Sequence, residues 1–495
     1  MRIRGCFASI IERNGRPAGS TLAYAGAART RTNRSTHKLL TPLAAAAAFA
    51  GAPFPANAQV IGAQTSTAYQ EAIAAGYKAL ALCEGVIAAG RTEAQVEALE
   101  LRGIYPEYQP LLPRLPATID RTNRSVQVSF ASDLPPRRAD WSPRTGCVVQ
   151  PIGRAVAPWP ASAPRAALPL PGDARPWPLG DAGIAPRPRP ALAQTVARAF
   201  DRATYKGETV GVVVMRDGRI VAERYADGFG PFTANRTWSV AKSIGGTLVG
   251  IAVRDLKIDP RKAASIPEWG HPADPRRQIT MDHLLRMASG LHSDHYGNRT
   301  DAIYFGGTTV TEQATGWPLE VRPGTRFRYA NNDIMLAARA VRAAMNNDAR
   351  YAAWPSQLFT PLGMQHTTAG TDWQGNLILS SQVYTTARDL ARLGQFWLQD
   401  GVWQGKRLLP EGWMRYMTTP SGPQPADGPG YGATMWLFGA AQGLPAGSYS
   451  AQGNRGQYVM VVPSERLVIV RRGEDPANTR FDIARFTADV IRDVK

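Results

Sequence analysis

The stretch that decides the reading is Thr237-Trp238-Ser239-Val240-Ala241-Lys242-Ser243-Ile244, a Ser-x-x-Lys run followed by Gly245, Gly246 and an apolar helical segment. On a helix, residues three apart share a face about one turn apart, so Lys242 Nζ can reach back to Ser239 Oγ. A serine hydroxyl is a poor nucleophile until a base takes its proton. A buried lysine, its pKa lowered by desolvation and by the positive end of a helix, can be that base. The same helix N-terminus aims backbone N–H groups at a bound carbonyl oxygen, which supplies half of an oxyanion hole. The spacing alone is weak, because Ser35-Thr36-His37-Lys38 repeats it by chance in a basic stretch. Around Ser239 the context is specific: a strand hairpin and a loop before it, an apolar helix tolerant of glycine after it.

Upstream, residues 210–216 and 219–225 are β-rich runs joined by Asp217-Gly218, which predicts a hairpin. Near the other end, 457–462 and 467–472 repeat the pattern across Pro463-Ser464-Glu465-Arg466, and an amphipathic helix follows over 480–494. A helix over 191–203 precedes the first hairpin, and helices are expected over 242–255, 281–288, 332–344 and 387–398. The expected architecture is α+β, with an antiparallel sheet built from both ends of the domain, flanked by helices and interrupted by a helical subdomain.

With 495 residues the chain exceeds one ordinary domain. Residues 1–38 hold eight cations against Glu12 and so carry seven of the net +18 charges. An uncharged run, Leu39 to Ala52, and Ala56-Asn57-Ala58 follow, which reads as a signal peptide over 1–58 and places the protein in the periplasm or outside the cell. The remaining basic residues are scattered, without a basic helix stripe or interleaved aromatics, so nucleic acid is not an expected partner. No stretch has the length and hydropathy of a membrane helix, so no transmembrane anchor is expected after cleavage. Residues 59–150 form an N-terminal accessory region with helical patterns over 69–88 and 92–101 and an alternating run over 125–130. About one residue in four between Pro151 and Pro190 is proline, which predicts an extended strap and sets the catalytic domain at 191–495. Cys6 leaves with the leader, so Cys83 and Cys147 are expected to form one disulfide, the alternative being two separate buried thiols. Neither cysteine has neighbours that suggest zinc, and no metal or organic cofactor is expected.

The second chemical element is Pro323-Gly324-Thr325-Arg326-Phe327-Arg328-Tyr329-Ala330-Asn331, ending on a helix start. A phenol beside two cations can relay a proton well below its usual value near 10, so Tyr329 is the candidate second proton carrier. Asn331 is expected to hydrogen-bond Lys242 and the substrate carbonyl region. Tyr296-Gly297-Asn298 is a weaker competitor for the same role.

Together with Ile279 to Leu291, Leu358 to Met364 and Thr386 to Arg392, these motifs make residues 192–490 resemble the serine β-lactamase-like hydrolases. Within them the chain is similar to the class C β-lactamase branch, with its D-Ala-D-Ala carboxypeptidases, esterases and aminohexanoate-dimer hydrolases. The resemblance implies the β-lactamase/penicillin-binding-protein-like fold, with Ser239 as nucleophile, Lys242 as base and Tyr329 as second proton carrier. It also implies a third motif, Lys-Thr-Gly or His-x-Gly, near 450–457, where this chain reads Ser-Ala-Gln-Gly-Asn-Arg-Gly-Gln. The missing cation argues against β-lactams and D-Ala-terminated peptides as natural substrates, unless Arg455 turns inward to replace it. Gly453 and the backbone N–H near Asn454 are the candidates for the second oxyanion donor, and Trp436 is a candidate pocket wall.

The expected function is therefore cleavage of a small amide or ester through an acyl-enzyme on Ser239. A DD-peptidase or β-lactamase proper is the alternative, and a non-catalytic scaffold member of the fold is the alternative of another class. His283 reads as structural, His292 and His295 around Asp294 as solvated or substrate-rim residues, and Trp238 as packing.

Overall fold

The computed structural model describes residues 67–154, 170–293 and 300–495. The expected leader, His295 and the Tyr296-Gly297-Asn298 run lie outside these residues.

Seven antiparallel strands form the main sheet, in the order Gly430–Tyr431, Trp436–Phe438, Ser448–Gly453, Gln457–Val462, Leu467–Gly473, Thr209–Arg216, Arg219–Tyr225. The last strand of the chain pairs with the first of the domain, with Ile469 opposite Val214, so the sheet is made from both ends as expected. Asp217 and Gly218 both take positive φ, which matches the hairpin turn to the twist of its strands. Alternation sorts the side chains. Val212, Val214, Met460 and Ile469 pack with residues of the helices Pro190–Arg198 and Ile483–Asp493. Val213, Met215, Val459 and Val468 join the larger core with the helices Val240–Leu256 and Ala387–Leu398. The helix expected over 281–288 stops at Leu285, two residues before Met287, whose φ of 58° cannot continue a right-handed helix. The last helix begins at Ile483, later than the periodicity suggests, because Asp482 caps it by accepting from Arg485 N at 3.0 Å. The helical insertion, with Met281–Leu285, Asn331–Met345, Asp348–Ala352 and Ser356–Leu362, lies between the two groups of sheet strands in the chain.

Ahead of this domain, helix Thr67–Leu82 runs into a wider helical turn, Cys83–Ala88, and lies against a four-stranded antiparallel sheet. This N-terminal module shares its apolar core with the catalytic domain, and the described residues of the two form one compact unit. Arg137 ties the two, donating to Ala72 O and to Phe305 O at 2.8 Å each. Residues 170–189 of the Pro-rich stretch hold no helix or strand beyond the isolated bridge Pro176–Ala182. The Cys83–Cys147 disulfide forms inside the module, with Cα atoms 6.1 Å apart and a sequence separation of 64. Closing a loop of that length restricts the unfolded chain, so Cys83→Ala/Cys147→Ala is expected to lose about 2–4 kcal/mol of stability, read from denaturant unfolding. An unchanged midpoint would refute the constraint. Among the described residues, no helix is long and apolar enough to cross a membrane.

Candidate active site

Strand Asn235–Arg236 leads into Trp238, which takes φ 50°, a left-handed conformation rare for a bulky residue. That turn delivers Ser239 to the N-cap of Val240–Leu256 and opens the helix N-terminus toward it. The helix can sit deep because its small residues face neighbours closely: a Cβ on Gly246 would lie 2.1 Å from Thr434 Oγ1.

Lys242, one turn on, is buried. Its Nζ lies 2.9 Å from Ser239 Oγ, 2.7 Å from Asn331 Oδ1 and 2.9 Å from Ser380 O. Burial, reinforced by the Arg236 charge and opposed by Asp333, pushes its pKa down to about 7. Asn331 opens helix Asn331–Met345, and its Nδ2 donates to Thr300 Oγ1 at 3.3 Å, which fixes the amide so that its oxygen faces the lysine. Asp333, two residues on, accepts from Ser289 Oγ at 2.8 Å, and burial pushes it up to about 7.

Tyr329 is hydrogen-bonded to the Ser239 side chain, and Lys242 Nζ lies 4.8 Å from its ring centroid. The expectation of a lowered pKa fails here: burial outweighs that hydrogen bond and holds the phenol above its ordinary value. Tyr329 is therefore a hydroxyl in the resting site. Trp436 stands beside it, ring centroids 5.4 Å apart, and Tyr431 and Phe327 extend the aromatic wall at 4.9 and 5.2 Å steps.

The end of strand Ser448–Gly453 passes directly by Ser239. A Cβ on Gly453 would lie 2.3 Å from Thr237 O and 3.0 Å from Ser239 N. Gly453→Ala is accordingly expected to push the strand off the helix N-terminus and cost at least about tenfold in kcat/KM. Native kinetics in that variant would remove this strand from the oxyanion side. Asn454 follows on an exposed turn, its Oδ1 accepting from Arg455 N at 2.8 Å.

Arg455 turns inward rather than into solvent, and it meets an acid there. It is buried; Nη1 pairs with Glu474, Nη2 donates to Glu474 O at 2.9 Å and Nε to Asp475 O at 3.1 Å. A left-handed φ of 56° turns it into this buried ion pair, which partly neutralises its charge.

Sequence reasoning missed Ser380, whose contribution is a backbone carbonyl and so has no side-chain signal, and Tyr304, whose hydroxyl lies 2.7 Å from Ser380 Oγ. Asp333 had a usable signal, an acid on the same helical turn as Asn331. His283 caps its own helix through Thr280, and His292 pairs with Glu320, which this bond and Arg326 hold down to about 2. Among the described residues, no group of three or more His, Cys, Asp or Glu is placed to hold a metal ion.

Fold and site together define a serine hydrolase. The profile of the Beta-lactamase family matches residues 192–488, more than half of the chain, and the protein belongs to that family. It is 26% identical over 300 residues to a 6-aminohexanoate-dimer hydrolase of Paenarthrobacter ureafaciens, spanning 54% of this chain and 73% of that one. Similar solved structures include a putative 6-aminohexanoate-dimer hydrolase from Bacillus anthracis, with TM-score 0.51, 22% identity, 60% of this chain and 81% of the other. A putative beta-lactamase from Bacteroides dorei DSM 17855 gives TM-score 0.51 at 18% identity over 62% and 98%. These two likenesses show the shared fold.

Proposed function

We propose that the protein is an exported acyl hydrolase that cleaves a small amide or ester through an acyl-enzyme on Ser239. The observation that carries the reading is Lys242: buried, pushed down to about 7, and 2.9 Å from Ser239 Oγ. Near neutral pH a large fraction of it is free amine. Ser239 Oγ attacks the carbonyl carbon, its proton passes to Lys242 Nζ, and the tetrahedral oxyanion is met by the Ser239 N–H and by a backbone N–H at the Gly453–Asn454 strand end. Tyr329, a hydroxyl hydrogen-bonded to Ser239, gives its proton to the leaving amine or alcohol and regains one from Lys242. In the second half a water attacks the ester, losing its proton to the same pair, and Ser239 Oγ leaves with a proton restored. Asn331 keeps Lys242 in place.

Substrate class follows from the walls. Ala451 and Gly453 alternate onto the strand face toward the nucleophile helix, Arg455 is committed to Glu474, and Trp436 and Tyr431 supply apolar surface. This favours a neutral group beside the scissile carbonyl over a carboxylate. The relative named for hydrolysis of the 6-aminohexanoate dimer supports an amide among the substrates. Export is supported by the leader composition and by the Cys83–Cys147 disulfide. A mature N-terminus at Gln59 checks it, and a protein retaining residues 1–58 would refute it.

The test is intact-mass spectrometry after exposure to a fluorophosphonate, a fluorescent penicillin and a panel of p-nitrophenyl esters and anilides, with Ser239→Ala alongside. Serine-dependent labelling, ester or anilide turnover and little penicillin adduct are expected. Rapid penicillin acylation would move the protein to the peptidase or β-lactamase class, and no labelling would make it a non-catalytic member of the fold.

A further inference from the structure

The segment before Ser239 meets the N-terminal module, and one side chain there touches both turns that lead to Ser239 and to a partner of Lys242. Arg236 sits three residues before the nucleophile in a two-residue strand, paired with Tyr384. Its Nε donates to Ser381 O at 3.3 Å and its Nη2 to Ser381 Oγ. The adjoining carbonyl, Ser380 O, is one of the three partners of Lys242 Nζ. The guanidinium also lies over the Trp238 ring at 3.9 Å and over Tyr304 at 5.2 Å. Trp238 is the left-handed residue that aims Ser239, and Tyr304 holds the Ser380 side chain.

From the other side the module supplies aromatic backing. Tyr105 packs on Trp238 with centroids 6.5 Å apart and on Phe305 at 5.5 Å, and Tyr77 closes on Phe305 at 4.9 Å. A small cavity of about 40 Å³ lies between the two parts, with Arg236 and Trp238 on one wall and Tyr77, Glu84 and Glu100 on the other.

We propose that Arg236 is a positioning residue for the acylation centre, and that the N-terminal module acts on catalysis through it without touching substrate. The inference rests on Ser239 as nucleophile and Lys242 as its base. Arg236 joins the Trp238 turn, which places the nucleophile, to the Ser380–Ser381 turn, which places the base, and the Tyr105–Phe305 stack keeps that joint seated. It also acts through charge. The groups facing it are Tyr77, Glu84, Glu100 and Tyr105 from the module, and Lys242, Tyr304, Tyr384, Arg455 and Glu474 from the domain. Burial holds Glu84 up at about 8 and Glu100 at about 7, so neither fully cancels the guanidinium near neutral pH, while Glu474 is taken by Arg455. The uncancelled charge disfavours the ammonium form of Lys242, and the Asp333 charge opposes that effect.

The second-order rate of fluorophosphonate labelling, followed against pH, tests this without knowledge of the substrate. Wild type, Arg236→Met, Arg236→Lys, Tyr105→Leu and Ser239→Ala are compared, each with its Tm. Arg236→Met is expected to label about tenfold or more slowly at pH 7, with its acidic limb displaced to higher pH because Lys242 then binds its proton more tightly. Arg236→Lys keeps the charge but not the planar fork, so its limb stays near the wild-type position while its rate remains low. A merely structural residue would change Tm and rate without moving the limb. A folded Arg236→Met with the wild-type rate and limb overturns the proposal. Should that variant not fold, Tyr105→Leu decides: slower labelling at a pH and temperature where the variant is fully folded is expected, and a wild-type rate there overturns the route through the module. If wild type is not labelled, or Ser239→Ala is labelled equally, the reading of Ser239 itself has failed, an outcome separate from the others.

Discussion

Ser239→Ala is expected to reduce kcat/KM on the order of 10⁴-fold or more and to abolish the fluorophosphonate adduct, because the variant lacks the atom that forms the covalent bond in the proposed mechanism. What remains is binding and the oxyanion donors, which do not need Oγ. The fold is expected to tolerate the change. Ser239 occupies the N-cap but its side chain makes no capping hydrogen bond, so losing Oγ costs the helix little. Lys242 keeps Asn331 Oδ1 and Ser380 O as partners. Tm and kcat/KM measured together separate the cases: a folded variant with wild-type turnover would sink the mechanism.

Lys242→Met carries the second largest effect, a loss of about 10²–10⁴-fold in kcat, the range for removing a positioned general base. Its signature is the pH profile. The reactive form of Lys242 is the free amine, so the wild-type rate should rise with pH through about 7 and level above it. In Lys242→Met that limb should vanish and leave a low rate. Stability gives an independent reading. The folded value lies below the ordinary lysine value near 10.5, so between about 7 and 10.5 the unfolded chain holds more proton than the native state. Wild type therefore loses stability as pH falls through that window, whereas the methionine variant lacks this dependence. A gap in Tm that does not change between pH 9.5 and 7.5 would show that Lys242 is not held as a buried amine. Asp333, pushed up to about 7, titrates at the lower edge of that window and opposes the lowering of the lysine by its charge.

Much of this was legible in order along the chain. Spacing set Lys242 one turn from Ser239, and alternation in 210–216 and 467–472 marked strands of one sheet. Helix ends were read less well, because Met287 and Asp482 act through a backbone dihedral and a cap, which periodicity does not register. Arg455 and Tyr329 show the same limit in the site. A turn after Gly453 allowed Arg455 two directions, and only the position of Glu474, 19 residues on, selected one. Tyr329 was expected to be acidified by neighbouring cations, but burial sets the direction and outweighs the hydrogen bond with Ser239 that opposes it.

By itself, then, the sequence determined what short-range geometry determines: the Ser239–Lys242 pair, the Asp217-Gly218 hairpin, four of the seven strands of the main sheet, and the absence of a lysine or histidine at the third motif. These follow from residue type and from helix and strand periods, which act within a few residues. Tertiary structure alone decided that Ser380 O completes the lysine's shell, that Arg455 faces Glu474, and that the N-terminal module backs Trp238 through Tyr105. Each joins residues far apart in the chain, and desolvation and ion pairing are set by what the fold brings within a few ångströms.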